Sequence, residues 1–173
     1  MPLFKYGKEI ADEWVLVDDD AALPDASHLI VPLGRWQNVR HELISRPAQI
    51  GVALAADEFA DAIAEDLPHL ALVQVHFPSF ADGRAFSTAR ALREHHGFDG
   101  EIRATGDVLL DQIQFMQRCG IDAFQVTNEP TIKRLREGRL AGVDLFYQPA
   151  RDGRTTIIDQ RRRRGAESQR LAS

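Results

Sequence analysis

The sequence predicts a single α/β domain in which repeated βα units form a mainly parallel sheet, either an open layered sheet or a partial barrel. Short apolar runs alternate with helical segments of roughly 10–13 residues, the pattern of βαβ units joined by right-handed crossovers. The chain has 173 residues, a length typical of one domain. It falls short of the roughly 250 residues of a complete eight-fold barrel.

Six apolar runs predict the strands, and the central ones are typical of strands buried on both faces. They cover residues 14–17, 29–33, 50–54, 70–75, 101–104 and 123–126. A last run at 143–147 predicts an edge strand.

Five segments with helical spacing of apolar residues predict the helices that follow these strands: 36–44, 57–67, 85–96, 108–118 and 128–135. We expect Asp57 to cap the second helix, whose apolar stripe is Phe59, Ile63 and Leu67, and Pro68 to end it. Gly97 and Gly120 fit left-handed C-terminal caps, and Asn128 opens the last helix.

Charge divides the chain into an acidic body and a basic tail. The net charge of −5 combines −9 over residues 1–150, the predicted domain, with +4 over residues 151–173. We expect this polar, Arg-rich tail to be disordered from residue 160 and solvated, with electrostatic docking to an acidic partner as the alternative for Arg161–Arg164. An acidic body argues against binding nucleic acid.

Composition also excludes several kinds of site. The single cysteine, Cys119, excludes an intrachain disulfide, a multi-cysteine zinc site and an iron–sulfur cluster. The six histidines form no metal-binding pair, so no metal site is predicted and the cofactor stays undetermined. No stretch is apolar enough to cross a membrane, and no secretory signal opens the chain, so we expect a cytoplasmic protein.

Polar residues after two predicted strands form the candidate site, because ligands in open α/β sheets bind beyond the carboxyl ends of the strands. The catalytic candidates are His76 and Asp82. The ligand-binding candidates are Ser79, Gly83, Arg84, Ser87, Arg103, Gly106 and Asp107. Arg84 and Arg103 on one rim would suit a small oxyanion.

The same residues also have a purely structural interpretation. In it, Asp82 caps a helix while Arg84 forms a surface ion pair. Likewise, Thr105 or Asp107 caps the next helix while Arg103 pairs with a nearby acid.

The sequence also resembles a known family, at residues 77–87, 89–93, 100–107, 111–113 and 120–124. The resemblance covers roughly residues 30–130. It is to an uncharacterised proteobacterial family, a domain of unknown function, whose genes lie beside assimilatory sulfite reductase and whose members are described as oxidoreductases of sulfite reduction. It implies a role in sulfur assimilation and brings no established catalytic residues.

Two functions remain open. The first is an accessory protein or oxidoreductase of assimilatory sulfite metabolism that binds a small oxyanion near Arg84 and Arg103. The second is a non-catalytic module that docks on sulfite reductase or forms a homo-oligomer, with Phe77 and Phe80 as contact anchors.

Overall fold

Eight strands form one sheet in the computed structural model, which describes residues 1–139, 146, 156–159 and 161–162. The strands are β1 (Leu3–Lys5), β2 (Lys8–Ile10), β3 (Val15–Leu16), β4 (His28–Pro32), β5 (Gln49–Leu54), β6 (Leu72–Phe77), β7 (Glu101–Gly106) and β8 (Ala123–Gln125). The helices are α1 (Leu33–Ile44), α2 (Arg84–Glu94), α3 (Leu110–Arg118), α4 (Glu129–Arg136) and one 3₁₀ helix (Ala60–His69). The six predicted strands and the α/β class are confirmed.

The strand order is β2-β1-β8-β7-β6-β5-β4-β3. Strands β3 to β8 pair in parallel in the order in which the chain makes them, whereas β1 is antiparallel to both of its neighbours. Sequential parallel order is the order of a βα barrel, in contrast to the reversal of order that creates the crevice of a doubly wound sheet.

A short connection between the two edge strands shows that this sheet is curled. Ile10 ends β2 and Val15 begins β3, so the opposite edges of the sheet are joined by residues 11–14 alone. Five peptide units reach at most about 18 Å, whereas eight strands laid flat would separate the edges by about 34 Å. The sheet therefore curls into a half-barrel. Of the two predicted architectures, the partial barrel is confirmed and the open layered sheet is wrong.

The two faces of the curled sheet differ in composition. The outer face packs against the helices and forms the hydrophobic core, with members on the sheet such as Val73, Val75, Ile102, Ala104 and Phe124. The alternate positions face inward, where polar and apolar side chains mix: Leu72, Gln74, His76, Arg103, Thr105 and Ala123. The inner face is therefore where polar chemistry is concentrated.

The segment after β5 departs from the prediction of an α-helix opened by Asp57. It is a 3₁₀ helix without a side-chain cap, and Phe59 is exposed rather than part of an apolar stripe. Pro68 lies inside the helix instead of ending it, while Ile63 and Leu67 are buried as predicted. Because proline has no N–H to donate, the segment cannot complete a regular α-helical ladder there.

Two further differences lie at strand ends. The hairpin of β1 and β2 was not predicted; it turns at Tyr6 and Gly7, both with positive φ, which is typical of a two-residue turn. Strands β6 and β7 continue two residues beyond their predicted ends, to Phe77 and Gly106. The caps at Gly97, Gly120 and Asn128 are confirmed, the last accepting a 3.0 Å hydrogen bond from the Thr131 amide.

The predicted edge strand at 143–147 and the tail 151–173 lie largely outside the described residues. Phe146 forms a parallel bridge with Thr156, and residues 157–159 and 161–162 are helical. None of the described helices combines the length and the apolar character needed to cross a membrane.

Candidate functional site

A polar groove opens on the inner face at the carboxyl ends of β6, β7 and β8, with a cavity volume of about 520 Å³. The residues that define "the groove" below are Gln74, His76, Thr105, Gly106, Asp107 and Gln125. This is the end of the strands at which ligands of parallel α/β sheets bind.

His76 is the histidine among the residues that line the groove. It lies opposite Thr105 in the β6–β7 register, with 3.3 Å between its Nδ1 and Oγ1 of Thr105. Thr105 Oγ1 also lies 3.5 Å from the Val75 carbonyl, to which it donates. If its lone pairs accept from Nδ1–H of His76 in turn, Nε2 is the ring nitrogen that is free to accept a proton.

Gly106 holds the ends of β6 and β7 together beside that histidine. Its φ of +87° is one that side-chain-bearing residues rarely adopt. A Cβ at this position would lie 2.1 Å from the Phe77 carbonyl oxygen and 2.8 Å from Cε1 of His76. The amide of Asp107 then donates a 2.7 Å hydrogen bond to the same carbonyl. The groove floor therefore depends on a glycine at 106.

Asp82 and Arg84 bind each other at the start of α2. The Asp82 carboxylate accepts hydrogen bonds from the Arg84 amide at 3.2 Å, from Nε at 3.0 Å and from Nη2 at 2.6 Å. The side-chain hydrogen bonds from Arg84 lower the pKa of Asp82 to about 2. A carboxyl group ionised throughout the neutral range is a poor proton donor, so of the two catalytic candidates His76 is the stronger.

Arg103 lies on the inner face of β7 instead of at its end. It pairs in register with Gln74 and Ala123, and its side chain is 2% exposed. Nη1 donates to both carboxylate oxygens of Asp12 at 2.9 Å, and Nε donates to Glu101 at 2.9 Å. The prediction that Arg84 and Arg103 share one rim is wrong, because β7 continues to Gly106 and keeps Arg103 inside the sheet. Pairing with acids, the structural alternative, is the geometry observed for both arginines.

The nine predicted site residues thus fall into three places. His76, Gly106 and Asp107 line the groove. Arg103 lies deeper on the same face. The others lie on the exposed segment before α2 and on its first turns: Ser79, Asp82, Gly83, Arg84 and Ser87.

Gln74 and Gln125 complete the groove and were not among the predicted site residues. A signal for Gln74 was present: glutamine and histidine occupy alternate positions in the otherwise apolar strand Leu72–Phe77. Two polar residues at a spacing of two indicate one face that is not packed against helices.

A second cavity, of about 570 Å³, opens at the amino ends of the strands, and four of its charged side chains form the ion pairs Lys5–Glu101 and Arg93–Asp122. Arg93 reaches across it to the carboxylate of Asp122 at 2.9 Å and to the carbonyls of Phe98, Gly100 and Gly120. Asp122 also accepts from the Ile102 amide at 3.0 Å. We therefore assign this network to stability. Within the described ranges, no three acidic, histidine or cysteine side chains are grouped to hold a metal ion.

The chain is thus an α/β protein whose half-barrel sheet has a polar groove at the carboxyl ends of its parallel strands, the end at which ligands of parallel α/β sheets bind. Residues 51–158 match the family described as "Bacterial protein of unknown function (DUF934)". The match covers more than half of the chain, and the chain belongs to this family. No curated protein matches the sequence. Membership of a family of unknown function is thereby confirmed, and the match itself carries no activity.

Proposed function

We propose that this protein is an accessory protein or oxidoreductase of assimilatory sulfur metabolism that binds a small oxyanion, with sulfite as the first candidate, in the groove. The observation that carries the binding site is His76 within hydrogen-bonding distance of Thr105 in a cavity at the carboxyl ends of three parallel strands. The sulfur chemistry rests on the family resemblance at residues 77–87 and 100–107.

His76 is the proton-transfer group in this proposal. Histidine is the side chain that most often serves in general acid–base catalysis, and Nε2 of His76 makes no hydrogen bond to the other described residues, so it can exchange a proton with a bound ligand. Gln74 and Gln125 add neutral donors, and their side chains make no hydrogen bond to the other described residues. Electrons for a redox step must come from a bound cofactor or a partner enzyme, because one cysteine cannot hold an iron–sulfur cluster.

Calorimetry with sulfite, sulfate and adenylyl sulfate tests this proposal. We expect sulfite to bind the wild-type protein and His76→Ala to weaken the binding about tenfold or more. Arg84→Ala is the matched control: its guanidinium is occupied by Asp82 outside the groove, so the affinity should change less than about twofold. Absence of heat with all three anions, or loss of binding in Arg84→Ala alone, would refute the groove as the anion site.

A second candidate function is a docking module for sulfite reductase or for itself. Phe80 and Phe115 are 57% and 55% exposed, which is unusual for two phenylalanines on neighbouring segments, and Gln112 of α3 donates a 3.3 Å hydrogen bond to the Phe80 carbonyl. Phe77, the other predicted anchor, is fully buried and packs on Phe86 with ring centroids 4.9 Å apart, so that prediction is wrong.

A pull-down with sulfite reductase tests this alternative. Phe80→Ser with Phe115→Ser should abolish capture if these rings are anchors. Phe59→Ser, which changes an exposed phenylalanine on neither of these two segments, should not. Light scattering of the same variants distinguishes self-association. If the wild-type protein and the variants are all monomeric and none binds sulfite reductase, the docking function is ruled out.

A further inference from the structure

The connection between the two edge strands crosses the inner face of the half-barrel, and we call residues 11–14 the strap. Two contacts hold it. Asp12 binds Arg103 of β7, and the Trp14 ring meets the His28 ring of β4 edge-on with centroids 5.2 Å apart. The carboxylate of Asp12 also accepts a 3.2 Å hydrogen bond from the Trp14 amide. The strap therefore covers the inner face next to the groove.

The strap also determines the net charge of the side-chain cluster that it covers. Four charged side chains meet there: Lys5 and Arg103 with Asp12 and Glu101. Lys5 lies 2.7 Å from Glu101, and Glu101 also binds Arg103, so one carboxylate is shared by two cations within the sheet. Asp12 is the second carboxylate of the cluster and makes its net charge zero. Without Asp12, the sheet presents one uncompensated positive charge on a guanidinium that is 2% exposed.

We propose that the Asp12 carboxylate is a built-in substitute for an anionic ligand, and that release of the strap opens an oxyanion site on Arg103, on the same inner face as the groove. Two oxygens on one guanidinium nitrogen are what a sulfite, sulfate or carboxylate ligand would also offer. The inference rests on the proposed function, because it specifies how an oxyanion reaches the same inner face.

Arg103 lies on the same face of the sheet as the groove. Arg103 pairs with Gln74, which lines the groove, and it lies two residues before Thr105 on the same face of β7. Residues two apart on a strand are about 7 Å apart. Displacement of Asp12 would therefore free the guanidinium for an oxyanion on the face of the sheet that also carries His76 and Thr105.

Local features allow the strap to move without unfolding the sheet. Residues 11–13 belong to no strand or helix and are exposed, and the Asp12 side chain is 23% exposed. The Arg103–Glu101 contact lies within β7 and stays in place when the strap leaves. The energetic balance is therefore an exchange of one anion for another on Arg103 rather than exposure of an unpaired buried charge.

Calorimetry with sulfite and sulfate on Asp12→Ala tests the inference. Removing the internal competitor should raise the affinity for oxyanions about tenfold or more. While Asp12 occupies Arg103, the apparent affinity is reduced by the fraction of molecules in which the site is free. Glu13→Ala removes the same charge one residue away, where the side chain is exposed, and should leave the affinity within about twofold. Equal affinities for the two variants would overturn the inference.

Tryptophan emission reports strap movement in the wild-type chain. Trp14 lies in the strap and Trp36 is buried in the core, so a red shift on adding sulfite that disappears in Trp14→Phe marks strap release. If His76→Ala abolishes sulfite binding while Asp12→Ala does not strengthen it, the groove is supported as the sulfite site and the role of Asp12 as an internal competitor is refuted. If Asp12→Ala strengthens sulfite binding and His76→Ala leaves it unchanged, the oxyanion site on Arg103 is supported and the groove is refuted as the sulfite site.

Discussion

Asp12 and Arg103 are separated by 91 residues, yet Nη1 of Arg103 donates to both carboxylate oxygens of Asp12 at 2.9 Å. The contact fastens the connection between the two edge strands to the middle of the sheet. The same contact therefore holds the two edges of the half-barrel near each other and neutralises the guanidinium on its inner face.

The first prediction concerns the stability that Arg103 provides. Arg103→Gln should lower the free energy of unfolding by about 3–5 kcal/mol, because it leaves Asp12 and Glu101 without their shared cation beside a buried position. Urea denaturation measures the loss. Arg90→Gln is the control, since its i,i+4 pair with Glu94 is exposed to solvent and should contribute little. Equal losses in the two variants would contradict this role.

The second prediction concerns Arg93, which holds the amino ends of β7 and β8. Arg93→Gln should cost about 3 kcal/mol or more, since it deprives Asp122 and the carbonyls of Gly100 and Gly120 of their donor. Thermal unfolding followed by circular dichroism measures it. Arg136→Gln, which breaks the exposed pair with Glu9, should shift the midpoint only slightly. A wild-type midpoint for Arg93→Gln would show that the network is dispensable.

The third prediction concerns Gly106. Gly106→Ala should destabilise the protein by about 1–3 kcal/mol, because the backbone is strained for alanine and the new Cβ overlaps the Phe77 carbonyl. It should also displace His76 and weaken sulfite binding. Gly34→Ala is the matched control: Gly34 lies in α1 with open space around it, and alanine there should stabilise by about 0.5–1 kcal/mol. Two equally stable alanine variants would contradict the packing at 106.

Much of the fold was predictable because its signals are local. Apolar runs such as residues 50–54 mark strands directly, and the caps at Gly97 and Asn128 act within one helical turn. The hairpin at Tyr6 and Gly7 was missed although its turn signal is equally local.

The candidate site was only partly predictable because its decisive contacts are not local. Arg103 looked like a strand-end residue from its neighbours, and only the fold shows that Asp12 reaches it across the sheet. His76 and Gly106 were found because they lie at strand ends, where chain order alone predicts a common edge. Gln125 comes from a third strand and has no distinguishing neighbours in the sequence.

The fourth prediction concerns the Asp82 carboxyl group. Hydrogen bonds from Arg84 lower its pKa from 3.8 to about 2. Its contribution to stability is therefore present above the ordinary pKa and is lost as the pH falls from about 4 to about 2. Carboxyl NMR titration should show Asp82 titrating near 2 and returning toward 3.8 in Arg84→Gln. An unchanged titration in that variant would show that Arg84 does not cause the shift.

The most direct test of the groove is an amide NMR titration of the ¹⁵N-labelled protein with sulfite. We predict saturable shifts at His76, Thr105 and Gly106, with the amides of Gly83 and Arg84 unmoved, since the ligand enters between β6 and β7 on the inner face. Shifts confined to the start of α2, or no shifts at any residue, would contradict the assignment of the groove as the ligand site.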